Sequence, residues 1–365
     1  MHLTVYPALI VLLFFGAHFC KKGEWNEEVL SFGHTKAFLG FNAIVIMMHH
    51  ISQRTCAPWL SPIRIHHGLD LFVFVGYLCV AAFFFCSGYG MYTASREKEG
   101  FFDHYLTRRI CPILTPTLVM WLVFFAIERA KKMDVPAPLW INTYDYIWYI
   151  PAILYMYVFF WISFRLIKNA KAGLVVLIAG TLLHFVLCML FGPGTWWYNS
   201  PFVFVIGVVC AMRKDRLLSS LKKWYPIKLI LSVIITLAGF VFANYYGVVI
   251  MLLGRKYTDV GHFWGELTGQ VISAAAFVFC MLLIGMKVRI GNRALKFFGT
   301  FTLEFYLVHP LFVQLFGFAF MYDTVKPLYY IKNQFLYVLV VFVLSLPIAY
   351  ALNRLNTLMW KRPRK

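Results

Sequence analysis

Long apolar segments alternate with short polar ones along the whole chain. A run of about 20 apolar residues is long enough to cross the ~30 Å hydrocarbon core of a bilayer as a helix. The pattern predicts an all-α integral membrane protein with about eleven spans. The predicted spans are 3–20, 37–52, 69–93, 110–128, 146–164, 172–191, 200–212, 228–250, 267–286, 297–321 and 334–352.

Composition supports this interpretation, because 61% of the residues are hydrophobic and only 13% are charged. A soluble domain with that balance would expose large apolar patches to water. The first span has no Lys or Arg before it and no clear small-residue cleavage site after it, so we predict a retained helix rather than a signal peptide.

The net charge of +19 comes from basic residues in short loops between the spans. With alternating loops and a cytoplasmic C-terminus, about three quarters of the 34 basic residues fall on the cytoplasmic side. Cytoplasmic loops of membrane proteins carry such an excess. We therefore predict an outside N-terminus and a cytoplasmic C-terminus, and no nucleic-acid partner.

Polar residues inside spans are costly in lipid and are therefore functional candidates. His49 and His50 lie in the second span, where adjacent helical residues point about 100° apart. Neutral imidazole can accept a proton near pH 7. Glu304 and His309 lie together in the tenth span, and Pro310 follows the histidine. The alternative for each is a hydrogen bond to a neighbouring helix with no catalytic role.

Small and basic residues supply a second set of candidates. Ser87 and Gly88 sit where a ligand or another backbone could approach a helix closely, although plain helix packing around small residues is the better explanation of this segment taken alone. Arg108 and Arg109 lie at a cytoplasmic helix end. Guanidinium groups bind phosphates in bidentate fashion, and the alternative is a simple membrane anchor.

No metal site is predicted. The eight cysteines form no Cys-x-x-Cys pair. His66 and Asp70 are four residues apart and could join His50 around a metal, but a carboxylate beside an imidazole is also the arrangement that orients a base.

Taken in order, several segments resemble acyltransferase family 3, whose members are multipass bacterial membrane enzymes that typically O-acetylate surface polysaccharides. The match covers roughly residues 35–352. The segments are Lys36 to Gly40 running into His49-His50, Phe83 to Gly90, Arg108-Arg109, Trp148-Tyr149-Ile150, Asn199-Ser200-Pro201 followed by Gly207, and Tyr306 to His309.

The resemblance implies three parts. Residues 1–34 form an additional N-terminal transmembrane helix and a cytoplasmic loop, and residues 35–352 form a membrane acyltransferase domain with a core of about ten helices. Residues 353–365 form a basic cytoplasmic tail. The implied location is the bacterial inner membrane.

The resemblance also implies transfer of an acyl group, expected to be acetyl, from acyl-CoA to a hydroxyl of an extracytoplasmic glycan or lipid-linked saccharide. Acetyl-CoA would be a substrate, and no tightly bound cofactor is expected. His50 would be the base, with His49 as the second catalytic candidate. The implied substrate-binding residues are Ser87, Gly88, Arg108, Arg109, Lys36, Trp148, Tyr149, Glu304 and His309.

Three positions depart from the family pattern. Family members usually carry Arg eleven residues before the first-helix His, and this position holds Leu39. Lys36 lies on nearly the same helix face as His50 and is the candidate replacement. Where the family usually has an Arg-x-x-Arg pair, this chain has the adjacent pair Arg108-Arg109. Ala81 occupies the position of the Asp that often precedes the Phe83 segment.

Two other functions are compatible with these residues. A transporter or flippase of a polar or lipid-linked solute would also use intramembrane His and Glu side chains. The chain lacks the internal repeat typical of many transporters. A non-catalytic scaffold of a polysaccharide-synthesis complex is the third possibility.

Overall fold

The computed structural model describes residues 5–61, 68–130, 147–318 and 327–360, and most of them are helical. The helices are α1 Val5–Phe14, α2 Phe32–Gln53, α3 Gly76–Glu97, α4 Cys111–Ala130, α5 Tyr149–Trp161, α6 Ala170–Phe191, α7 Phe202–Met212, α8 Lys214–Lys222, α9 Tyr225–Asn244, α10 Tyr246–Leu252, α11 Asp259–Lys287, α12 Arg293–Phe298, α13 Thr302–Phe316 and α14 Gln334–Trp360. Short 3₁₀ turns lie at Pro58–Leu60, Asp70–Phe72 and Thr195–Trp197, and π-helical turns lie at Leu106–Ile110 and Ile162–Leu166.

The all-α membrane fold is confirmed. Within the described ranges, eight helices are long and apolar enough to cross a bilayer, while α1 and α13 are shorter apolar helices. Each predicted span overlaps at least one helix, and the many apolar helices make the chain a multipass membrane protein.

The ends of several helices differ from the predicted spans. Helix α1 ends at Phe14, and the 228–250 span is divided between α9 and α10. Helix α14 continues to Trp360, past the predicted end of the span at residue 352. Its last turns pack on α4, where Asn356 donates to the Pro112 carbonyl at 2.8 Å. The predicted tail therefore begins inside a helix, and residues 361–365 lie outside the described residues.

Central and peripheral helices differ in polarity. In α3, which other helices enclose, the most apolar window has a mean hydropathy of 1.3 and is 61% buried. In α6 the corresponding values are 2.6 and 22%. A helix that faces lipid must be apolar around its exposed face, whereas an enclosed helix can carry polar side chains. The buried helices α2, α3, α7 and α13 are therefore well suited to carry the polar groups of a site.

Glycines allow α3 and α7 to pack in close contact. Gly88 of α3 lies against the backbone carbonyl of Phe204, and Gly207 of α7 lies against the backbone carbonyl of Phe85. A Cβ atom at either glycine would collide with those carbonyls. Small residues at such crossings let helix backbones approach closely in membranes.

The N-terminal segment is attached to the end of α11 by a two-stranded antiparallel sheet. Strand β1 (His18–Phe19) pairs with β2 (Val288–Arg289), His18 opposite Arg289. The side chain of the buried Asn26 also donates to the Gly285 carbonyl at 2.9 Å. These contacts fix the segment between α1 and α2 to the body of the protein.

Candidate functional site

Two buried histidines from distant parts of the chain form a direct hydrogen bond. His50 is near the end of α2, and His309 is in the middle of α13. His50 Nδ1 lies 2.7 Å from His309 Nε2, and the two rings stack with centroids 4.9 Å apart. The fold thus joins two residues that are separate candidates in the sequence.

Hydrogen bonding fixes the tautomers of this pair. His309 Nδ1 lies 2.7 Å from the Phe305 carbonyl oxygen, which can only accept, so Nδ1 must carry the proton. In neutral His309 the other nitrogen, Nε2, then accepts a hydrogen bond from His50 Nδ1–H. This arrangement leaves Nε2 as the basic nitrogen of His50. A positioned imidazole of defined tautomer is the usual form of a catalytic base.

His49 is oriented in a similar way. Its Nδ1 lies 2.8 Å from the Phe72 carbonyl, so the basic nitrogen of neutral His49 is also Nε2. Its ring packs against Gly76 at the start of α3. Both histidines of the predicted pair therefore have a defined orientation, but only His50 is bonded to a second histidine.

A cavity of about 470 Å³ is lined by both histidines, and we call it the outer cavity because Trp59 and Trp196 in its wall belong to segments predicted to be outside. Aromatic and polar side chains make up much of its wall. Its lining includes His49, His50, Gln53, Arg54, Trp59, Phe74, Tyr77, Trp148, Thr195, Trp196, Asn199, Asn244, His262, Glu266, Gln270 and Tyr306.

A second, inner cavity of about 240 Å³ adjoins the first and is mainly apolar. Ile46, Val80 and Tyr306 line both cavities, so these residues form the boundary between them. Ile46 precedes His50 by one helical turn, which places the boundary close to the histidines. The inner cavity is also lined by Leu39, Ala43, Phe83, Ser87, Ile113, Tyr149, Ile153, Tyr157, Thr302 and Leu303.

Two predicted substrate-binding residues lie in this inner cavity. Ser87 and Tyr149 both line it, and the Ser87 hydroxyl lies beside the phenols of Tyr149 and Tyr157. Trp148, the neighbour of Tyr149, lines the outer cavity instead. Gly88 is placed in the α3–α7 contact and is not part of either described lining.

The arginine pair lies on the π-helical turn before α4. Arg108 donates to the Gly100 carbonyl at 3.3 Å, and the Arg109 guanidinium lies 4.7 Å from the centroid of the Phe101 ring. Arg109 is also close enough to Tyr157, at the inner cavity, to interact with it electrostatically. Single π-helical turns are frequent at functional sites.

Lys36 and Glu304 lie outside the described lining of both cavities. Lys36 lies near the start of α2, with Nζ 4.3 Å from the centroid of the Phe32 ring. The buried Glu304 accepts a hydrogen bond from Asn356 of α14 at 3.3 Å.

Several polar residues of the outer cavity were not predicted from the sequence. Arg54 was placed in a loop, but its side chain is almost completely buried and donates to the Phe318 carbonyl at 2.8 Å. Glu266 was placed just outside a span, whereas α11 begins at Asp259 and carries it two turns inward. The spacing of Glu266 and Gln270, four residues apart on a helix, was the signal available in the sequence.

The predicted alternative of a metal near His50 involves residues that are only partly described. His66 and His67 lie outside the described residues. Among the described residues, no group of three or more His, Cys, Asp or Glu side chains is close enough to hold a metal ion.

Comparison with known protein families identifies the fold. The family model described as an acyltransferase domain, acyltransferase 3, matches residues 40–354. No curated protein and no solved structure matches the chain significantly. The matched range contains the histidine pair, the arginine pair and every lining residue of both cavities except Leu39, and it begins after α1 and the two-residue strand β1. The chain therefore belongs to the acyltransferase 3 family and is a multipass membrane acyltransferase.

Proposed function

We propose that this protein transfers an acetyl group from acetyl-CoA to a hydroxyl of an extracytoplasmic glycan or lipid-linked saccharide, with His50 as the general base. The observation that supports this most strongly is the pair of adjoining cavities with the histidines beside their common boundary. Two substrates that enter from opposite sides of a membrane need such an arrangement in order to meet.

The inner cavity suits the donor. Its lining is mainly apolar, which fits an acyl chain and the end of a pantetheine arm. Arg108 and Arg109 lie on a turn near this cavity and would bind the CoA phosphates through charge-assisted hydrogen bonds. Ser87 would contact the thioester end of the donor.

The outer cavity suits the acceptor, and His50 connects the two. A sugar hydroxyl is too weak an acid to attack a thioester unaided. His50 Nε2 would take the hydroxyl proton as the oxygen attacks the acyl carbonyl. The C–S bond would then break, and the proton would pass from His50 to the departing CoA sulfur. During these steps, His309 would keep the His50 imidazole oriented by accepting the hydrogen bond from His50 Nδ1–H.

The test compares two neighbouring single variants. His50→Ala should lower acetyl transfer about 10²–10⁴-fold, the usual contribution of general acid–base catalysis. His49→Ala should cost much less, because His49 lacks the second histidine. The measurement is acetyl transfer from labelled acetyl-CoA by purified protein at matched concentrations. Full activity in both variants would contradict the catalytic role of this pair.

A further inference from the structure

A hydrogen-bonded row of polar side chains forms one wall of the outer cavity. Gln270 Nε2 donates to Glu266 Oε1 at 2.9 Å, and Thr195 Oγ1 donates to the same oxygen at 3.1 Å. Asn199 Nδ2 then donates to Gln270 Oε1 at 3.0 Å. The row therefore has a fixed geometry before any ligand enters, which lowers the cost of binding.

Glu266 holds the negative charge of this row, inside a membrane helix. It is half-buried, and within the described part of the chain it forms no ion pair with a basic residue. Both hydrogen bonds described above go to Oε1. A carboxylate has acceptor positions on both oxygens, so Oε2 remains for a ligand in the cavity. An ionisable residue inside a membrane helix is costly and usually functional.

Tryptophans occupy the same cavity. Trp59 and Trp196 expose 53% and 52% of their surface, and Trp148 also lines the space. Aromatic faces stack on the apolar C–H faces of sugar rings, while carboxylate and amide groups bind the hydroxyls at the ring edge. A specific small-molecule site usually consists of a few fixed polar groups among aromatic and apolar surfaces.

We infer that Glu266, Gln270 and Asn199 recognise a saccharide acceptor, and that Glu266 accepts hydrogen bonds from two neighbouring ring hydroxyls. Glu266 is thus an acceptor-positioning residue, which holds the sugar so that a further hydroxyl faces His50 across the cavity. This inference rests on the proposed function, and it adds the residues that select the acceptor.

The experiment measures sugar binding and acetyl-CoA chemistry separately. Purified protein is titrated with the methyl glycosides of glucose, galactose and mannose and with their monodeoxy derivatives, and weak binding is followed by saturation-transfer NMR. Glu266→Gln should weaken binding of the best glycoside about 10–100-fold, because hydrogen bonds to a charged acceptor are the strong ones. Removing either of two adjacent hydroxyls from that glycoside should reproduce most of this loss.

The matched control is Asp259→Asn, a carboxylate-to-amide change in the first turn of the same helix, at an exposed residue outside the cavity lining. It should leave glycoside binding within about twofold. Slow hydrolysis of acetyl-CoA without acceptor, which reports on the donor side, should also be unchanged in Asp259→Asn.

Three results would overturn the inference. The first is unchanged glycoside binding in Glu266→Gln. The second is that the native protein binds none of the three glycosides. The third is that the native protein binds choline, a cation, in preference to the glycosides. Suppose instead that the native protein binds glycosides but neither hydrolyses acetyl-CoA nor transfers its acetyl group. The proposed function then fails, while the inference that Glu266, Gln270 and Asn199 recognise a saccharide is upheld.

Discussion

The hydrogen bond between His50 and His309 determines what each ring can do. As His50 accepts a proton on Nε2, its Nδ1–H becomes a stronger donor to His309 Nε2, and the positive charge is partly shared with the second ring. His309 itself is anchored to the Phe305 carbonyl. That carbonyl is adjacent to the Tyr306 carbonyl, to which Pro310 cannot donate, so the local break in helix bonding lies beside the histidine.

His309 should therefore be a positioning residue. His309→Phe keeps the ring size but removes the acceptor for His50, and it should lower acetyl transfer about 10–100-fold with little change in the KM for acetyl-CoA. His309→Gln should recover part of the activity, because its amide oxygen can accept from His50 Nδ1–H. The measurement is steady-state transfer kinetics across pH. Equal losses in both variants would indicate a purely structural role.

The sequence alone identified both histidines but not their contact. Each lies in an apolar span, and a polar group there is a candidate whatever it touches. Their hydrogen bond depends on the relative register of α2 and α13, which is set by close packing between elements far apart in the chain. Gly40 of α2, for example, packs against the backbone of Leu295 and Gly299 just before α13.

At the scale of elements, the apolar runs predicted which segments become helices but not where each helix ends. The 267–286 span became α11, which begins eight residues earlier because Thr258 caps it, accepting a hydrogen bond from Gly261 N–H. The residues added in this way include Glu266. The polar residues Asp259, His262 and Glu266 lie before the apolar run, so the sequence did not show that they are helical. His262 and Glu266 line the outer cavity.

The contact between α3 and α7 provides a test of packing. Gly207→Leu would drive a side chain into the Phe85 carbonyl and should destabilise the protein by about 1–3 kcal/mol. Gly90→Leu is the matched control, because no atom lies within 4 Å of a Cβ built there and Leu has the higher helix propensity. Thermal unfolding in detergent should show a lower Tm for the first variant and an unchanged or higher one for the second. The reverse order would contradict the packing described for Gly207.

At the scale of the whole molecule, segments predicted on the same side of the membrane lie together. The Lys222 ammonium is 2.6 Å from the Glu27 carboxylate, and Lys287 donates to the Glu24 carbonyl. All four residues belong to segments predicted to be cytoplasmic. Trp59 and Trp196, from segments predicted to lie on the opposite side, both line the outer cavity. The alternation deduced from charge is therefore consistent with the fold.

The orientation itself can be measured. Cysteine placed at Lys214 should resist an impermeant thiol reagent in intact cells, because the 213–227 segment carries the charge of a cytoplasmic loop. Cysteine placed at the exposed Arg255 should be labelled, since it lies in a segment predicted to be outside. Both are read against the native protein, which has eight cysteines. Labelling of position 214 together with protection of position 255 would reverse the orientation.

The pairing of β1 with β2 also has a consequence for biosynthesis. The two strands are separated by about 270 residues, so the first one leaves the ribosome long before its partner exists. At about 5–20 residues per second, the wait lasts roughly 15–50 s. During that time the first strand and the buried side chain of Asn26 lack their final partners, and the segment is open to chaperones and proteases. Attachment of the N-terminal segment is therefore a late step, which can occur only after the chain has been synthesised through α11.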